Sequence, residues 1–173
     1  MTINTIVFRP DDFGSAFTES SSSVDISLST TSKAVDGLSG NDAANIGGNN
    51  TLVHSGPLTL SSAFTGPAGG PKNFDILIPL TTPFFYDPSS GNLLLDVQVN
   101  SPFSELAIFD AQYTTGDAVS RVYLPGNADT LGLVTCFNCT GSPSSVPEPG
   151  TLLLLGSGLL GMRKAYRERK NKA

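Results

Sequence analysis

Apolar and polar residues alternate along this chain with a period of two, in short runs. Val24-Asp-Ile-Ser-Leu28 places Val24, Ile26 and Leu28 on one face of an extended segment. Phe74-Asp-Ile-Leu-Ile78 does the same with Phe74, Ile76 and Ile78, and Leu80 continues the row past Pro79. Asn92 to Asn100 is the clearest strand, with Leu93, Leu95, Val97 and Val99 facing inward and Asp96, Gln98 and Asn100 outward. Shorter candidates are Thr5–Phe8, Leu52–His54, Leu58–Ser61, Leu106–Phe109, Arg121–Leu124 and Leu131–Phe137. Turn chemistry separates them at Ser55-Gly-Pro57, Gly66-Pro-Ala-Gly-Gly-Pro71, Asp87-Pro-Ser-Ser-Gly91 and Leu124-Pro-Gly-Asn127. Gly37 to Asn50 is too polar and glycine-rich for a strand and is expected to be a flexible surface loop. No helical period of 3.6 persists in this body. Many short strands between Gly/Pro turns predict an all-β fold, a β-sandwich of jelly-roll type.

Composition narrows the setting. Charged residues are 14% of the 173, against an ordinary quarter, and the body is rich in Ser, Thr, Gly and Asn. About 145 residues suffice for one domain with one core. Residues 1–150 carry four basic groups (Arg9, Lys33, Lys72, Arg121) and 14 acidic ones, a net charge of −10. That balance excludes a nucleic-acid partner, which wants a basic face against its phosphates. No stretch of the body is long and apolar enough to cross a membrane.

The end of the chain is different in kind. A Ser/Pro linker, 141–146, leads into Val146-Pro147-Glu148-Pro149-Gly150. An apolar run from Thr151 to Met162 follows, carrying Leu152, Leu153, Leu154, Leu155, Leu159 and Leu160. A basic tail then holds Arg163, Lys164, Arg167, Arg169 and Lys170, so that residues 151–173 have six basic groups, one acid and a net charge of +5. Pro147 and Pro149 hold their segment extended and outside helix or sheet, the form a protease cleft binds. As a short hydrophobic helix the apolar run spans about 18 Å, or about 24 Å if counted to Tyr166 with Arg163 and Lys164 snorkelling. A hydrocarbon core is about 30 Å thick, so this is a marginal anchor. Positive charge just behind it predicts a cytoplasmic C-terminus with the acidic body on the outer side. A buried Leu-rich helix with a solvated basic end is the alternative reading.

Rigid motif, apolar segment and basic end, in that order, resemble the PEP-CTERM sorting signal of exported bacterial proteins. The resemblance implies recognition and cutting by exosortase, a membrane protease. It also implies transient residence in the inner membrane, and a final place in the cell envelope or outside the cell, near exopolysaccharide. Residues 147–173 are then the sorting and anchor segment and residues 1–140 the ectodomain. The N-terminus, Met1-Thr-Ile-Asn-Thr-Ile-Val-Phe-Arg-Pro10, lacks the basic region and apolar run of a signal peptide. The expectation is that the true start lies upstream; a tail that is a relic on an unexported protein is the alternative. A second resemblance, to ectodomains of PEP-CTERM-tailed proteins, runs from Thr51 to Val97. It includes Ser55-Gly-Pro-Leu-Thr-Leu-Ser-Ser62, Gly69-Gly-Pro-Lys-Asn-Phe-Asp75 and Thr82 to Asp96. It implies no activity. In Tyr86 to Asn92, Asp87 is expected to accept from backbone amides and Gly91 to take a positive φ.

Candidate chemistry is sparse. Cys136-Phe-Asn-Cys139 has C-x-x-C spacing, but zinc wants four ligands and the chain has one histidine, His54, and no further cysteine. A thioredoxin-like pair should open a helix, whereas Thr140-Gly-Ser-Pro follows. A local disulfide pinning the last strand is expected in an exported protein, with free thiols as the alternative. Asn138-Cys-Thr140 also fits a short glycosylation pattern. No metal site or cofactor is expected, although calcium has a candidate place among Asp36, Asp42 and nearby carbonyls. His54 has no serine motif around it, and Asp75, Asp87, Asp96 and Asp110 are ordinary acids of an acidic domain. The expected function is therefore a non-enzymatic surface or matrix protein. A carbohydrate-binding module, with Tyr86, Tyr113 and Tyr123 as stacking candidates, is the second class, and a hydrolase lacks a supporting constellation.

Overall fold

The longest strand is also the most polar. In the computed structural model, which describes residues 1–105, 108–123 and 126–139, β2 runs through Phe17–Thr31 and forms the centre of a sheet. It is flanked by β3 (Thr51–Ser62) and β5 (Asn92–Val99), all antiparallel, in the order β3-β2-β5. A second sheet has β1 (Thr2–Phe8) between β4 (Ile76–Phe85) and β10 (Thr135–Phe137). Two short ribbons complete the described residues: β6 (Ala111–Gln112) with β9 (Gly132–Leu133), and β7 (Arg121–Tyr123) with β8 (Asn127–Asp129). Among the described residues the fold is all-β, in small antiparallel sheets with only two single-turn 3-10 segments, Asp42–Ala44 and Pro88–Ser90. The C-terminal helix expected after residue 147 lies outside the described residues.

Both three-stranded sheets feed one core. Ile3, Ile6 and Phe8 of β1 and Ile76, Ile78 and Phe84 of β4 join Val24, Ile26 and Leu28 of β2 and Val53, Leu58 and Leu60 of β3. Period-two patterning therefore reads correctly in β2 and in β4, where Ile76 and Ile78 are buried as expected. In β5 the face is as expected but its cover is uneven. Leu95, Val97 and Val99 stand opposite Leu28, Ile26 and Val24 on the inward face. Leu93 and Leu95 pack on the core, whereas Val97 and Val99 are each 48% exposed.

Two expectations are corrected. Ser55-Gly-Pro57 is no turn: β3 runs straight through it, with Gly56 at φ 117° and a register shift against β2 between Ser21 and Val24. The bulge absorbs proline and glycine without ending the strand. Gly37 to Asn50 is indeed not a strand, yet it is tied down throughout. Asn45 is buried and exchanges two hydrogen bonds with the Ser39 backbone, at 2.7 and 2.8 Å. Gly47 donates to Ser29 Oγ, and the Asn49 side chain accepts from Thr30 N at 2.7 Å and donates to Thr30 Oγ1 at 3.0 Å. The amide of Asn49 thus acts as a surrogate strand against the end of β2.

Edges and turns follow simple chemistry. Pro57 lies on β3 and Pro79 and Pro83 on β4, both edge strands, where a missing N–H costs no internal ladder bond. At Asp87 to Gly91 the expected turn is present: Asp87 accepts from Ser89 N and Ser89 Oγ at 3.0 and 2.8 Å. Gly91 sits at φ 139° against Thr31 O. Hydrogen bonds from Ser89 hold the Asp87 carboxyl below the usual range. Ser55 and Asn100 do the same for Asp25, and the Arg121 guanidinium for Asp129. Groups whose folded pKa is depressed stabilise the fold above their unfolded pKa and lose that contribution as pH falls through the folded one. The melting temperature is therefore expected to be level from neutral pH down to about pH 5, then to fall below about pH 4, the ordinary Asp value. A melting temperature that rises on acidification through that window would contradict it.

Candidate functional site

Three of the body's four cations are engaged in internal contacts. Arg9 forms an ion pair with Asp110 and lies 5.4 Å from the Phe74 ring centroid. Lys72 is buried, donates to Pro67 O at 2.7 Å and lies over the Phe64 ring. Arg121 grips Asp129 through Nε and Nη2, each 3.1 Å from a carboxylate oxygen, and covers Tyr123.

The last described residues form a clamp on β1. Cys136 and Cys139 are joined as a disulfide with Cα atoms 5.8 Å apart. Between them Asn138 takes a left-handed backbone, φ 59°, which Asn tolerates better than most residues. Its N–H donates to Thr5 O at 3.0 Å. Its Oδ1 accepts from Asn4 N at 2.7 Å and from Thr5 N at 3.3 Å, and its Nδ2 donates to Thr2 O at 2.7 Å. The register of β1 against β4 shifts between Ile3 and Thr5, at the same place where the Asn4 and Thr5 amides meet Asn138. Asn138 holds the irregular stretch of β1 in place. An Asn held by both ends of its amide is engaged structurally, not presented as a glycan acceptor. The sequence marks Asn138 only as part of a glycosylation pattern, and its hold on β1 has no local signal.

Other candidate residues are spread over the domain. Asp75 accepts from Ser62 Oγ and Ala63 N, Asp110 pairs with Arg9, Asp87 caps its turn, and Asp96 is exposed on the outer face of β5. These four acids have four different surroundings. His54 lies half-buried in β3, and its Nε2 is enclosed without a hydrogen-bond partner among the described residues. Asp36, at φ 61°, accepts from Gly116 N through its carboxylate, and Asp42 opens a 3-10 turn. Among the described residues no three His, Cys, Asp or Glu side chains converge as a metal site would require. Of the tyrosines, Tyr86 packs on the core and donates to Gly91 O, while Tyr113 and Tyr123 are exposed.

One cleft of about 510 Å³ opens beside the start of β2, lined by the segment from Phe13 to Glu19 and by Glu105 and Ile108. The Glu19 side chain belongs to the inward row of β2, opposite Leu60 of β3. Its Oε2 accepts from Ser104 Oγ and from Glu105 N. Sequence reasoning passed over it, because Thr18-Glu-Ser-Ser-Ser-Ser23 shows no apolar alternation to mark a strand.

The sorting residues Val146, Pro147, Glu148 and Pro149, the apolar run Leu152–Leu160 and the basic group from Arg163 to Lys170 lie outside the described residues. Among the described residues no helix is long and apolar enough to cross a membrane. Comparison with known proteins settles the nature of that tail. Residues 145–170 match the family model of the PEP-CTERM protein-sorting motif. No curated protein and no solved structure matches the chain. A PEP-CTERM motif implies processing by exosortase, with C-terminal membrane anchoring during sorting. The chain carries a PEP-CTERM protein-sorting motif and is, by that signal, a secreted, envelope-associated protein sorted by exosortase.

Proposed function

We propose that this protein is a surface or extracellular-matrix component with no enzymatic activity of its own. The acidic β-domain is delivered through the envelope and released or retained there after trimming at Val146-Pro147-Glu148-Pro149. The observation that carries the reading is the motif at 145–170 on a chain whose charge divides at the same place. Pro147 and Pro149 keep the recognition segment extended, and Glu148 is its only charge. Leu152–Leu155 and Leu159–Leu160 hold it transiently in the inner membrane, and the cations from Arg163 to Lys170 keep the end in the cytoplasm. The two three-stranded sheets closing on one core support a β-sandwich, with the jelly-roll connection as its nearest pattern.

In a host with exosortase, Glu148→Ala is expected to leave the domain folded and its tail uncut. Intact mass reads the outcome directly. A mutant trimmed like the wild type would sink the assignment of Glu148 as the recognition charge.

A second reading, a carbohydrate-binding module associated with exopolysaccharide, is favoured by one observation. An open cleft carries an unpacked aromatic ring beside two carboxylates.

A further inference from the structure

We propose that the cleft beside the start of β2 binds a neutral, hydroxyl-rich saccharide, with Phe13 as the stacking platform and Glu19 and Glu105 as hydroxyl acceptors. This deepens the carbohydrate-binding reading and rests on it, independently of sorting. The volume, about 510 Å³, falls in the range of small-ligand sites and accommodates one or two sugar rings. Phe13 is 89% exposed. A ring left so bare does nothing for the core, and it offers an apolar face to the C–H face of a sugar.

Glu19 provides the second argument. It is 5% exposed, an uncommon position for a carboxylate, and two donors hold its Oε2 in place. Glu19 is also one of the residues that line the cleft. A pre-positioned carboxylate oxygen is a strong acceptor for a hydroxyl, because charge-assisted hydrogen bonds are about twice as strong as neutral ones. Glu105 adds a second acceptor at the rim.

The lining selects among ligands. It contains no basic residue, so phosphates, sulfates and uronic acids meet only like charge. A divalent cation would want more oxygen ligands than two glutamates supply, and no third acid or histidine joins them among the described residues. Hydroxyl-rich neutral sugars satisfy both the bare ring and the acceptors.

The test is titration calorimetry of the full chain against maltohexaose, cellohexaose and mannohexaose. Hexagalacturonate serves as the anionic counterpart and hexalysine as the cationic one. At least one neutral hexasaccharide is expected to bind and hexagalacturonate is not. Phe13→Ala is expected to weaken binding at least tenfold with an unchanged melting temperature, and Glu105→Gln to weaken it severalfold. Tyr113→Ala, which alters an exposed ring outside the cleft, is expected to bind like the wild type. Absence of binding to every neutral probe, or binding of hexalysine alone, would overturn the site and the carbohydrate reading together. Saccharide binding that survives Phe13→Ala and Glu105→Gln intact would overturn the site and leave that reading standing.

Discussion

Gly47→Ala is expected to destabilise the domain by about 3 kcal/mol or more, since overpacking against rigid surroundings reaches or exceeds that cost. A Cβ at position 47 would lie 1.8 Å from Thr30 O and 2.6 Å from Thr30 C, both main-chain atoms of β2. Backbone of a central strand cannot swing aside as a lysine tip would. Either the loop or the strand end must move, and the movement breaks three other contacts. Gly47 N loses Ser29 Oγ, and the Asn49 amide loses both its bonds to Thr30. For a domain of this size the melting temperature should drop by about 10 °C. Gly48→Ala is the control, because a Cβ there meets nothing within 4 Å. It should change stability by less than about 0.5 kcal/mol. Equal effects at the two positions would mean that the loop does not pack on Thr30.

The second large effect is expected at Asn138. Its side chain holds Asn4 N, Thr5 N and Thr2 O, and its φ is 59°. Asn138→Ala loses those bonds, worth about 1 kcal/mol each at most for exposed groups, and adds roughly 1 kcal/mol for a left-handed alanine. A total loss of about 2 to 4 kcal/mol follows. Asn138→Gly loses the bonds without the backbone penalty, and should be about 1 kcal/mol less damaging. Chemical denaturation of the three proteins gives the order wild type, glycine, alanine from most to least stable. An alanine variant as stable as the wild type would show that the clamp adds nothing to the attachment of β10. Hydrogen exchange at Asn4 and Thr5 should accelerate in both variants.

How much of this was legible beforehand depended on whether burial was apolar. Val24, Ile26, Leu28, Ile76 and Ile78 announce their strands because their inward side chains are greasy and their neighbours are not. The first half of β2 has the same backbone, but its inward residues are Glu19 and Ser21. Their burial is offset by Ser104, Glu105 N and Ser101 O at long sequence separation. No local pattern records partners some 80 residues away. Val97 and Val99 failed in the other direction: alternation foretold a face, yet what covers a face is decided by tertiary packing. The tail was the most legible segment, because proline stiffness, apolar length and a block of cations are properties of the chain itself. Its match at 145–170 needed no fold. The Phe13–Glu19 cleft was the least legible, since it is made by segments that meet only once β2 is built.

The prolines at 57, 79 and 83 bear on how many copies can crowd together. Wherever copies of a β-protein meet at high local concentration, open strand edges invite pairing between molecules and growth of cross-β fibres. Each of these residues removes one N–H from an edge strand, β3 or β4, and interrupts the row that a neighbour's strand would need. Prolines on both edges thus disfavour pairing between neighbouring copies along β3 and β4.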